Sequence, residues 1–201
     1  MTVKLAVLLS GGGTTLQNFI DRIADGRLDA EIAIVVSSNP RAGGIERARK
    51  AGLAVEVVDR RNFPDDRQLS EAITAVIERY DFDLVALGGF LRMYVFPERL
   101  RGRVLNTHPG PLPQYGGQGM YGHHVHEAVL AAGEKESAAS VIIADNEAYD
   151  HGPVLVEKRV PVMPDDTPET LAARVFAAEC EAFPEAVELI ARRLGLTASA
   201  P

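Results

Sequence analysis

Two polar side chains, Asn106 and His108, stand where a short apolar run meets a proline-rich loop, in the sequence VLNTHPGPLP of residues 104–113. Proline cannot donate a hydrogen bond to a central sheet ladder, so the strand must end here. Residues two apart on an extended backbone point the same way. The pattern therefore predicts a hydrogen-bond donor beside a titratable group at a strand's carboxyl end, where open α/β sheets bind ligands. A polar strand exit without a function is the alternative interpretation.

A second candidate site is the glycine-rich stretch 10–15, which follows the apolar run 3–9 and precedes a helical pattern. In such a unit the backbone can approach a ligand closely, and the free N–H groups at the helix start can bind a phosphate. The stretch is not a P-loop because the Gly-Lys-Ser/Thr ending is absent, and Leu16 stands where a dinucleotide fingerprint needs glycine. A tight strand–helix turn without a ligand is the alternative interpretation.

Five further polar residues have no role that the local pattern settles. Asp150 lies in a loop between two predicted strands, where a plain turn aspartate is the alternative. Arg67 lies in the first turn of a predicted helix, where a cation is unfavourable, so it either binds an anion or is simply solvated. His123, His124 and His126 open another helix, but His124 and His126 are wrongly spaced for two metal ligands on one helix face. We therefore predict no metal.

The composition is that of a globular domain with an acidic balance. The chain has 201 residues, 46% hydrophobic and 24% charged, with a formal net charge of −7. We predict one domain over 1–201, with a frayed tail at about 196–201. The charge disfavours nucleic acid and membrane surfaces as partners. The single cysteine, Cys180, excludes an internal disulfide and is interpreted as buried filler.

The N-terminal sequence and the length of the apolar runs indicate the cellular compartment of the protein. The sequence opens on a strand pattern rather than on a signal peptide, and no apolar run reaches the roughly 18 residues of a membrane span. We therefore predict a cytoplasmic protein.

The elements around the candidate residues alternate between strand and helix, which predicts an α/β fold with a doubly wound, mostly parallel sheet. Near-continuous apolar runs are typical of strands that are covered on both faces. The two last strands, joined by a short loop, predict an antiparallel hairpin at the sheet edge near the C-terminus. The predicted strands are 3–9, 30–37, 54–58, 84–87, 104–107, 139–144 and 154–162. The predicted helices are one after residue 15 and those at 44–51, 65–80, 123–132 and 167–194.

With these pieces placed, the chain resembles the phosphoribosylglycinamide formyltransferases, folate-dependent enzymes of purine biosynthesis in the formyltransferase superfamily. The resemblance covers nearly the whole length and depends on six motifs in order. They read SGGGTTLQ at 10–17, GFLR at 89–92, NTHPGPLP at 106–113, GHHVH at 122–126, SVIIAD at 140–145 and YDHGPV at 149–154. The resemblance implies the Rossmann-like formyltransferase fold and a one-carbon transferase.

The implied reaction moves a formyl group from 10-formyltetrahydrofolate, the co-substrate, to the amine of glycinamide ribonucleotide. Attack by the amine creates a tetrahedral oxyanion, and hydrogen-bond donors aimed at this charge stabilise the transition state most. Asn106 and the imidazolium of His108 match the family's donors. Asp150 matches the aspartate that favours the charged form of the histidine and assists proton transfer, through water.

The resemblance also implies binding residues for both substrates. The residues that match the ribonucleotide and phosphate site are Gly13, Thr14, Thr15 and Glu179. The residues that match the folate site are Arg67, Leu91, Arg92, Met93, Tyr94 and Asn106, with the backbone of 145–150 around the pterin. His124 is a candidate accessory residue beside the segment 116–121, an insertion relative to shorter members. The expected partners are two small molecules, and a homodimer is a candidate assembly.

Three rival functions share parts of this pattern. A formyltetrahydrofolate deformylase would use the same three polar residues with water, but we expect no room for its extra N-terminal domain because the first strand starts at Val3. Formyltransferases that act on methionyl-tRNA or on nucleotide sugars usually carry further C-terminal sequence, and an acidic chain does not suit tRNA. A non-catalytic nucleotide-binding module would not need polar groups at 106, 108 and 150 together.

Overall fold

The computed structural model of the chain describes residues 2–196. The described strands are β1 (Val3–Leu9), β2 (Ala30–Ser37), β3 (Val55–Val57), β4 (Leu84–Leu87), β5 (Val104–His108), β6 (Glu136–Ile143) and β7 (Val154–Pro161). The described α-helices are α1 (Thr14–Ala24), α2 (Gly43–Lys50), α3 (Asp66–Ile77), α4 (His123–Ala131) and α5 (Pro168–Arg193). These strands form one sheet in the order β3-β2-β1-β4-β5-β6-β7.

The strand pairings confirm the predicted fold class. β1 pairs in parallel with both β2 and β4, and β2 pairs in parallel with β3. β6 and β7 pair in antiparallel fashion at one edge, which is the predicted hairpin. Because β1 lies between β2 and β4, the winding of the chain reverses at β1, and ligands of open α/β sheets bind at such a reversal. The glycine turn after β1 and the loop after β4 therefore lie at the expected place for a substrate.

The chain divides into two compact units. The first comprises the residues up to Leu105 together with the segment that starts at Val187, and the second is Asn106–Ala186. The predicted single domain over 1–201 stays a prediction. Residues 197–201 of the predicted frayed tail lie outside the described residues. None of the helices in the described part is long and apolar enough to cross a bilayer.

Each unit has an apolar core of its own. In the first unit, the near-continuous apolar runs of β1, β2 and β4 are buried, as the sequence predicts for covered strands. Side chains from one stripe of α1 and one stripe of α3 are buried in the same unit, namely Leu16, Phe19, Leu69, Ile73 and Ile77. In the second unit, one cluster joins residues of α4, β6, β7 and α5 to a loop tyrosine. Its buried members are Tyr115, Val125, Val129, Ala139, Val160, Leu171 and Val175.

Several element boundaries differ from the prediction. β6 begins at Glu136 rather than at 139, because pairing with β7 extends to Pro161 across a polar start that the apolar pattern does not mark. α3 ends at Ile77 rather than at 80. Two short 3₁₀ helices, Arg60–Asn62 and Glu98–Leu100, lie in stretches without a predicted element. Cys180 is half-buried rather than buried.

The start of α5 follows the predicted capping chemistry. Thr167 Oγ1 accepts a hydrogen bond from the Thr170 backbone N–H at 3.3 Å, and Pro168 is the first helical residue. Just before it, the Asp166 carboxylate accepts the Met163 N–H at 2.7 Å and pairs with Arg174 at 2.6 Å. These contacts hold the pKa of the Asp166 carboxyl far below its usual range.

Candidate active site

The structure brings Asn106, His108 and Asp150 together in the second unit. Asn106 and His108 lie on the last residues of β5, and Asp150 lies in the loop between β6 and β7. Asn106 Nδ2 donates to Asp150 Oδ1 at 3.0 Å, and His108 Nδ1 lies 3.3 Å from Asp150 Oδ2. The side chains of His108 and Asp150 are only 2% and 12% exposed, so water screens their interaction weakly.

The hydrogen bonds of His108 determine where its protons lie. His108 Nε2 is 2.8 Å from the Tyr115 carbonyl oxygen, which can only accept, so Nε2 carries a proton. Nδ1 faces the Asp150 carboxylate, which also accepts. An acceptor therefore faces each ring nitrogen. Nδ1 is the ring nitrogen nearest to Asp150, and Nε2–H is committed to the backbone.

The backbone of Asp150 is held in an unusual conformation. Its φ is +53°, the one positive φ of a non-glycine residue in the described part of the chain. Aspartate adopts this left-handed region more readily than most residues. Oδ2 also accepts the Gly117 backbone N–H at 3.1 Å, so both carboxylate oxygens receive hydrogen bonds. Two side chains of β5, Asn106 and His108, and one loop N–H, that of Gly117, therefore determine the direction of the Asp150 side chain.

The loop residues Tyr115, Gly116 and Gly117 support both His108 and Asp150, and sequence reasoning missed them. Tyr115 supplies the carbonyl to His108, and Gly117 supplies the N–H to Asp150. A Cβ added to Gly116 would lie 3.2 Å from the Asp150 Cβ, which shows how closely this backbone passes the aspartate. The two successive glycines after a proline loop are the only sequence signal of this close approach.

The Tyr115 side chain anchors that loop. Its hydroxyl donates to Glu134 Oε1 at 2.8 Å, and Gln114 Nε2 donates to the same oxygen at 2.9 Å. Burial, followed by the Glu134 carboxylate, raises the pKa of the Tyr115 hydroxyl, which therefore stays a donor. The tyrosine ring packs in the apolar cluster of the second unit.

Two of the other histidines differ in surroundings. His124 is exposed, with its ring 5.2 Å from that of Tyr121 and Nδ1 3.5 Å from Glu127 Oε2 on the same helix. The accessory role of His124 stays a prediction. His126 is only 3% exposed, and its Nδ1 has no hydrogen-bond partner among the described residues. His126 therefore has the environment of a core histidine rather than of a ligand.

His126 makes stability depend on pH. Burial first, and then the positive forms of His123 and His108, lower the pKa of His126 from 6.5 to about 4. Between these values the unfolded chain binds a proton that the native state does not, so the free energy of unfolding falls as pH decreases. We expect the melting temperature to fall between about pH 6.5 and pH 4, and His126→Phe to flatten this dependence. Thermal unfolding of both proteins across this range is the measurement. A slope unchanged in the variant would contradict the assignment.

The predicted phosphate turn caps α1 in the first unit. Gly13 is the N-cap residue, with φ 73° and ψ 32°, and its carbonyl accepts the Gln17 N–H at 2.9 Å. Thr14 and Thr15 are the first helical residues, and the first turn carries no acidic side chain. An unopposed helix N-terminus of this kind favours an anion.

The fit of Gly13 against α2 allows a stability prediction. A Cβ added to Gly13 would lie 2.5 Å from the Gly44 Cα, and φ is positive there, whereas nothing lies within 4 Å of a Cβ added to Gly12. We therefore expect Gly13→Ala to lower the free energy of unfolding by about 3 kcal/mol. Gly12→Ala is the matched control and should leave it nearly unchanged. Chemical denaturation of both variants is the measurement, and equal losses would contradict this packing.

The predicted folate loop adjoins the phosphate turn within the first unit. The Ser10 backbone N–H donates to the Gly89 carbonyl at 3.0 Å, and the Leu91 N–H donates to Ser10 Oγ at 3.0 Å. The turn after β1 and the loop after β4 are thus joined by two hydrogen bonds. Both are backbone segments that a ligand at the carboxyl ends of these strands would meet.

Polar residues on one stripe of α3 hold this loop. Asp66 pairs with Arg92 (Oδ1 to Nε, 2.7 Å), and Ser70 Oγ accepts the Val95 N–H at 3.0 Å. One turn further, Thr74 Oγ1 lies 2.9 Å from the Tyr94 hydroxyl. The spacing of four residues places Asp66, Ser70 and Thr74 on one helix face.

The predicted folate residues therefore have different environments. Tyr94 is buried, and burial raises the pKa of its hydroxyl to about 12, so it is a packing residue of the loop. Leu91 is 51% exposed, Arg67 is an exposed residue of α3, and Met93 is half-buried. Arg92 is held by Asp66 rather than extended. The folate roles of these residues stay predictions.

The second unit also contains a buried glutamate on α5 and a cluster of two carboxylates and a histidine in the loop between β6 and β7. Glu179, the predicted ribonucleotide contact, is a buried residue of α5 with 9% exposure. The loop that carries Asp150 also carries a cluster of possible metal-ligand atoms that lie within 4.8 Å of one another. They belong to Asp145, Glu147 and His151. His151 Nδ1 lies 2.6 Å from Asp145 Oδ2, and this carboxylate raises the pKa of His151. The contact ties the two ends of the loop together.

A family model described as formyl transferase matches residues 3–187. The phosphoribosylglycinamide formyltransferase of Haemophilus influenzae is 34% identical over 183 residues, which are 90% of this chain and 84% of the relative. The trifunctional purine biosynthetic protein adenosine-3 of Drosophila melanogaster is 36% identical over 191 residues, which are 93% of this chain. The match spans 14% of the length of that longer relative.

A solved structure has the same fold. The chain superposes on the crystal structure of glycinamide ribonucleotide transformylase 1 from Symbiobacterium toebii with a TM-score of 0.87 and 33% sequence identity. The superposition covers 95% of this chain and 88% of the other.

Proposed function

Because the chain belongs to the formyl transferase family, we propose that it transfers the formyl group of 10-formyltetrahydrofolate to the amine of glycinamide ribonucleotide in purine biosynthesis. The observation that carries the proposal is the convergence of Asn106, His108 and Asp150 at the end of β5. An amide, an imidazole and a carboxylate in contact supply what acyl transfer to an amine needs: oxyanion donors and a proton acceptor.

The reaction forms one bond and breaks one. The amine nitrogen of the ribonucleotide attacks the formyl carbon, and the formyl oxygen becomes the oxyanion of a tetrahedral intermediate. The attacking nitrogen loses a proton, and N10 of the folate gains one. The bond between the formyl carbon and N10 then breaks, which releases tetrahydrofolate and the formylated ribonucleotide.

Asn106 and His108 are the proposed oxyanion donors. The Asn106 amide has two N–H bonds, and Asp150 engages one of them, so the second is available to substrate. His108 contributes the positive charge of its imidazolium and shares Nδ1–H between Asp150 and the oxyanion, because its Nε2–H is committed to the Tyr115 carbonyl. The positive charge of the imidazolium faces a negative charge that develops during the reaction, and such an interaction strengthens in the transition state.

Asp150 is the proposed proton acceptor. Its negative charge stabilises the imidazolium of His108, from which it is 3.3 Å distant. It also takes the proton from the attacking amine, through a water molecule, and returns it to N10. Hydrogen bonds from Asn106 and Gly117 hold the carboxylate in place beside His108.

We propose binding residues for each of the two substrates as well. The ribonucleotide phosphate binds the turn formed by Gly13, Thr14 and Thr15, and Glu179 contacts the ribonucleotide. The folate binds the loop after β4 and the loop that carries Asp150. The donor is a co-substrate, and no metal takes part in these steps. The cytoplasmic location stays a prediction.

The fate of the formyl carbon tests the proposal. The protein is incubated with 10-formyltetrahydrofolate labelled with ¹³C at the formyl carbon, with and without glycinamide ribonucleotide, and followed by NMR. We expect the label to appear as a formamide on the ribonucleotide. Label that appears in formate at the same rate in both samples would instead indicate the hydrolase, the strongest rival. Asn106→Ala is the matched variant, in which we expect neither product to form quickly.

A further inference from the structure

Arg47 of α2 contacts the glycine turn that begins α1. Its Nε donates to the Gly12 carbonyl oxygen at 2.9 Å, and its Nη1 donates to Gln17 Oε1 at 3.1 Å. Gly12 directly precedes Gly13, the N-cap of α1, and Gln17 lies in the first turn of that helix. A guanidinium has a planar, rigid set of donors, so this one side chain relates the turn and the helix to each other.

The contact determines which way a peptide group faces. The peptide bond between Gly12 and Gly13 is trans, so its carbonyl and its N–H point in opposite directions. Because Arg47 holds the Gly12 carbonyl on the side of α2, the Gly13 N–H points to the opposite side. The Gly44 N–H orients the preceding peptide in the same way, through a 3.2 Å hydrogen bond to the Gly11 carbonyl. The N–H groups of Gly12 and Gly13 therefore share a direction, as in anion-binding backbone nests.

The turn needs such a constraint because of its own composition. Glycine has the widest choice of backbone conformations, and nothing lies within 4 Å of a Cβ added to Gly11 or Gly12. Glycine at positions 11 to 13 therefore leaves the peptide group between Gly12 and Gly13 more freedom to rotate than other residue types would. A rotated peptide would present the Gly12 carbonyl oxygen to an anion in place of the Gly13 N–H, and this contact is repulsive.

We propose that Arg47 is a positioning residue for phosphate binding: by holding the Gly12 carbonyl, it aims the N–H groups of Gly12 and Gly13 at the phosphate of the substrate. Arg47 acts through the turn and does not touch the phosphate. The inference rests on the proposed function, since that function assigns the phosphate to this turn.

The surroundings of Arg47 provide a chemical test. A groove of about 730 Å³ between α1 and α2 is lined by Gly12, Gln17, Arg47 and Lys50. Removal of the Arg47 side chain leaves room there for a small guanidinium compound from solution. Such a compound can restore a hydrogen bond to the Gly12 carbonyl, but it cannot restore a covalent connection to α2.

Substitution of Arg47 is expected to raise the KM for one substrate and not for the other. In Arg47→Ala, we expect the KM for glycinamide ribonucleotide to rise about 10–100-fold, the change that corresponds to losing hydrogen bonds to a charged group. The KM for 10-formyltetrahydrofolate and kcat should change little. Millimolar ethylguanidinium should restore part of the lost affinity. Arg49→Ala is the control, because it removes one positive charge from the same helix at an exposed position.

Inorganic phosphate provides a second measurement that does not depend on turnover. In the wild type, phosphate should shift the NMR amide resonances of Gly12 and Gly13, and in Arg47→Ala this shift should require far more phosphate. Phosphate shifts without formyl transfer would refute the proposed function and leave the role of Arg47 intact. Equal weakening in Arg47→Ala and Arg49→Ala, or no shift in the wild type, would overturn the inference.

Discussion

Replacement of His108 by glutamine is expected to lower kcat for formyl transfer by about 10²–10³-fold, the usual loss when one oxyanion donor is removed. Glutamine retains an N–H that can reach the Tyr115 carbonyl, so the loop around residue 115 keeps its anchor. What glutamine lacks is the positive charge beside the developing oxyanion. The measurement is kcat with both substrates saturating, together with the melting temperature, which should stay near that of the wild type.

His123→Gln is the matched control for this prediction. His123 is an exposed histidine at the start of α4, outside the proposed machinery, and the same substitution there should leave kcat unchanged. The double variant Asn106→Ala/His108→Gln should lose less than the product of the two single losses, because the two donors act on one charge. A kcat in His108→Gln within a factor of two of the wild type would refute the donor role.

Asp150→Asn is expected to cause a comparable loss of kcat, about 10²–10³-fold, for an electrostatic reason. The Asp150 carboxylate accepts hydrogen bonds from Asn106 and Gly117 and faces His108. An asparagine has the same shape, but its NH₂ group must face one of these donors. It also lacks the charge that stabilises the imidazolium and accepts the amine proton. The measurement is kcat at several pH values with both substrates saturating.

The backbone makes Asp150→Asn an informative variant. Asparagine tolerates the positive φ of +53° as well as aspartate does, so the loop should keep its conformation. Asp165→Asn, an exposed residue before α5, removes the same charge from the same unit and serves as the control. Loss of activity in both variants would indicate a general charge effect. Retention of activity in Asp150→Asn would refute the proton acceptor.

The parts of the fold that follow from local pattern could be predicted from the sequence. β1 and β4 have the predicted bounds, because nearly continuous apolar residues end at Ser10 before three glycines in one case and at Gly88-Gly89 in the other. The placement of Asn106 and His108 on the same side of β5 also followed from local pattern, since residues two apart on an extended strand point the same way. Asp150 could be joined to them only through the family resemblance, because its contacts cross the sequence from β5 to the loop after β6.

The residues that support the site were not predictable in this way. Tyr115 acts through its backbone carbonyl, and any residue type has one, so its identity carries no signal. Arg92 pairs with Asp66 and Arg47 reaches Gly12 across the chain, through tertiary contacts without a sequence period. Such partners depend on the relative placement of elements, which local propensity does not determine.

The most direct test of the transferase assignment is the initial rate at which the purified protein consumes 10-formyltetrahydrofolate, measured with and without glycinamide ribonucleotide. We expect consumption that requires the ribonucleotide and that collapses in Asn106→Ala, His108→Gln and Asp150→Asn. Consumption at one rate with or without the ribonucleotide would contradict the transferase, and full ribonucleotide-dependent activity in the three variants would contradict the assignment of its active site.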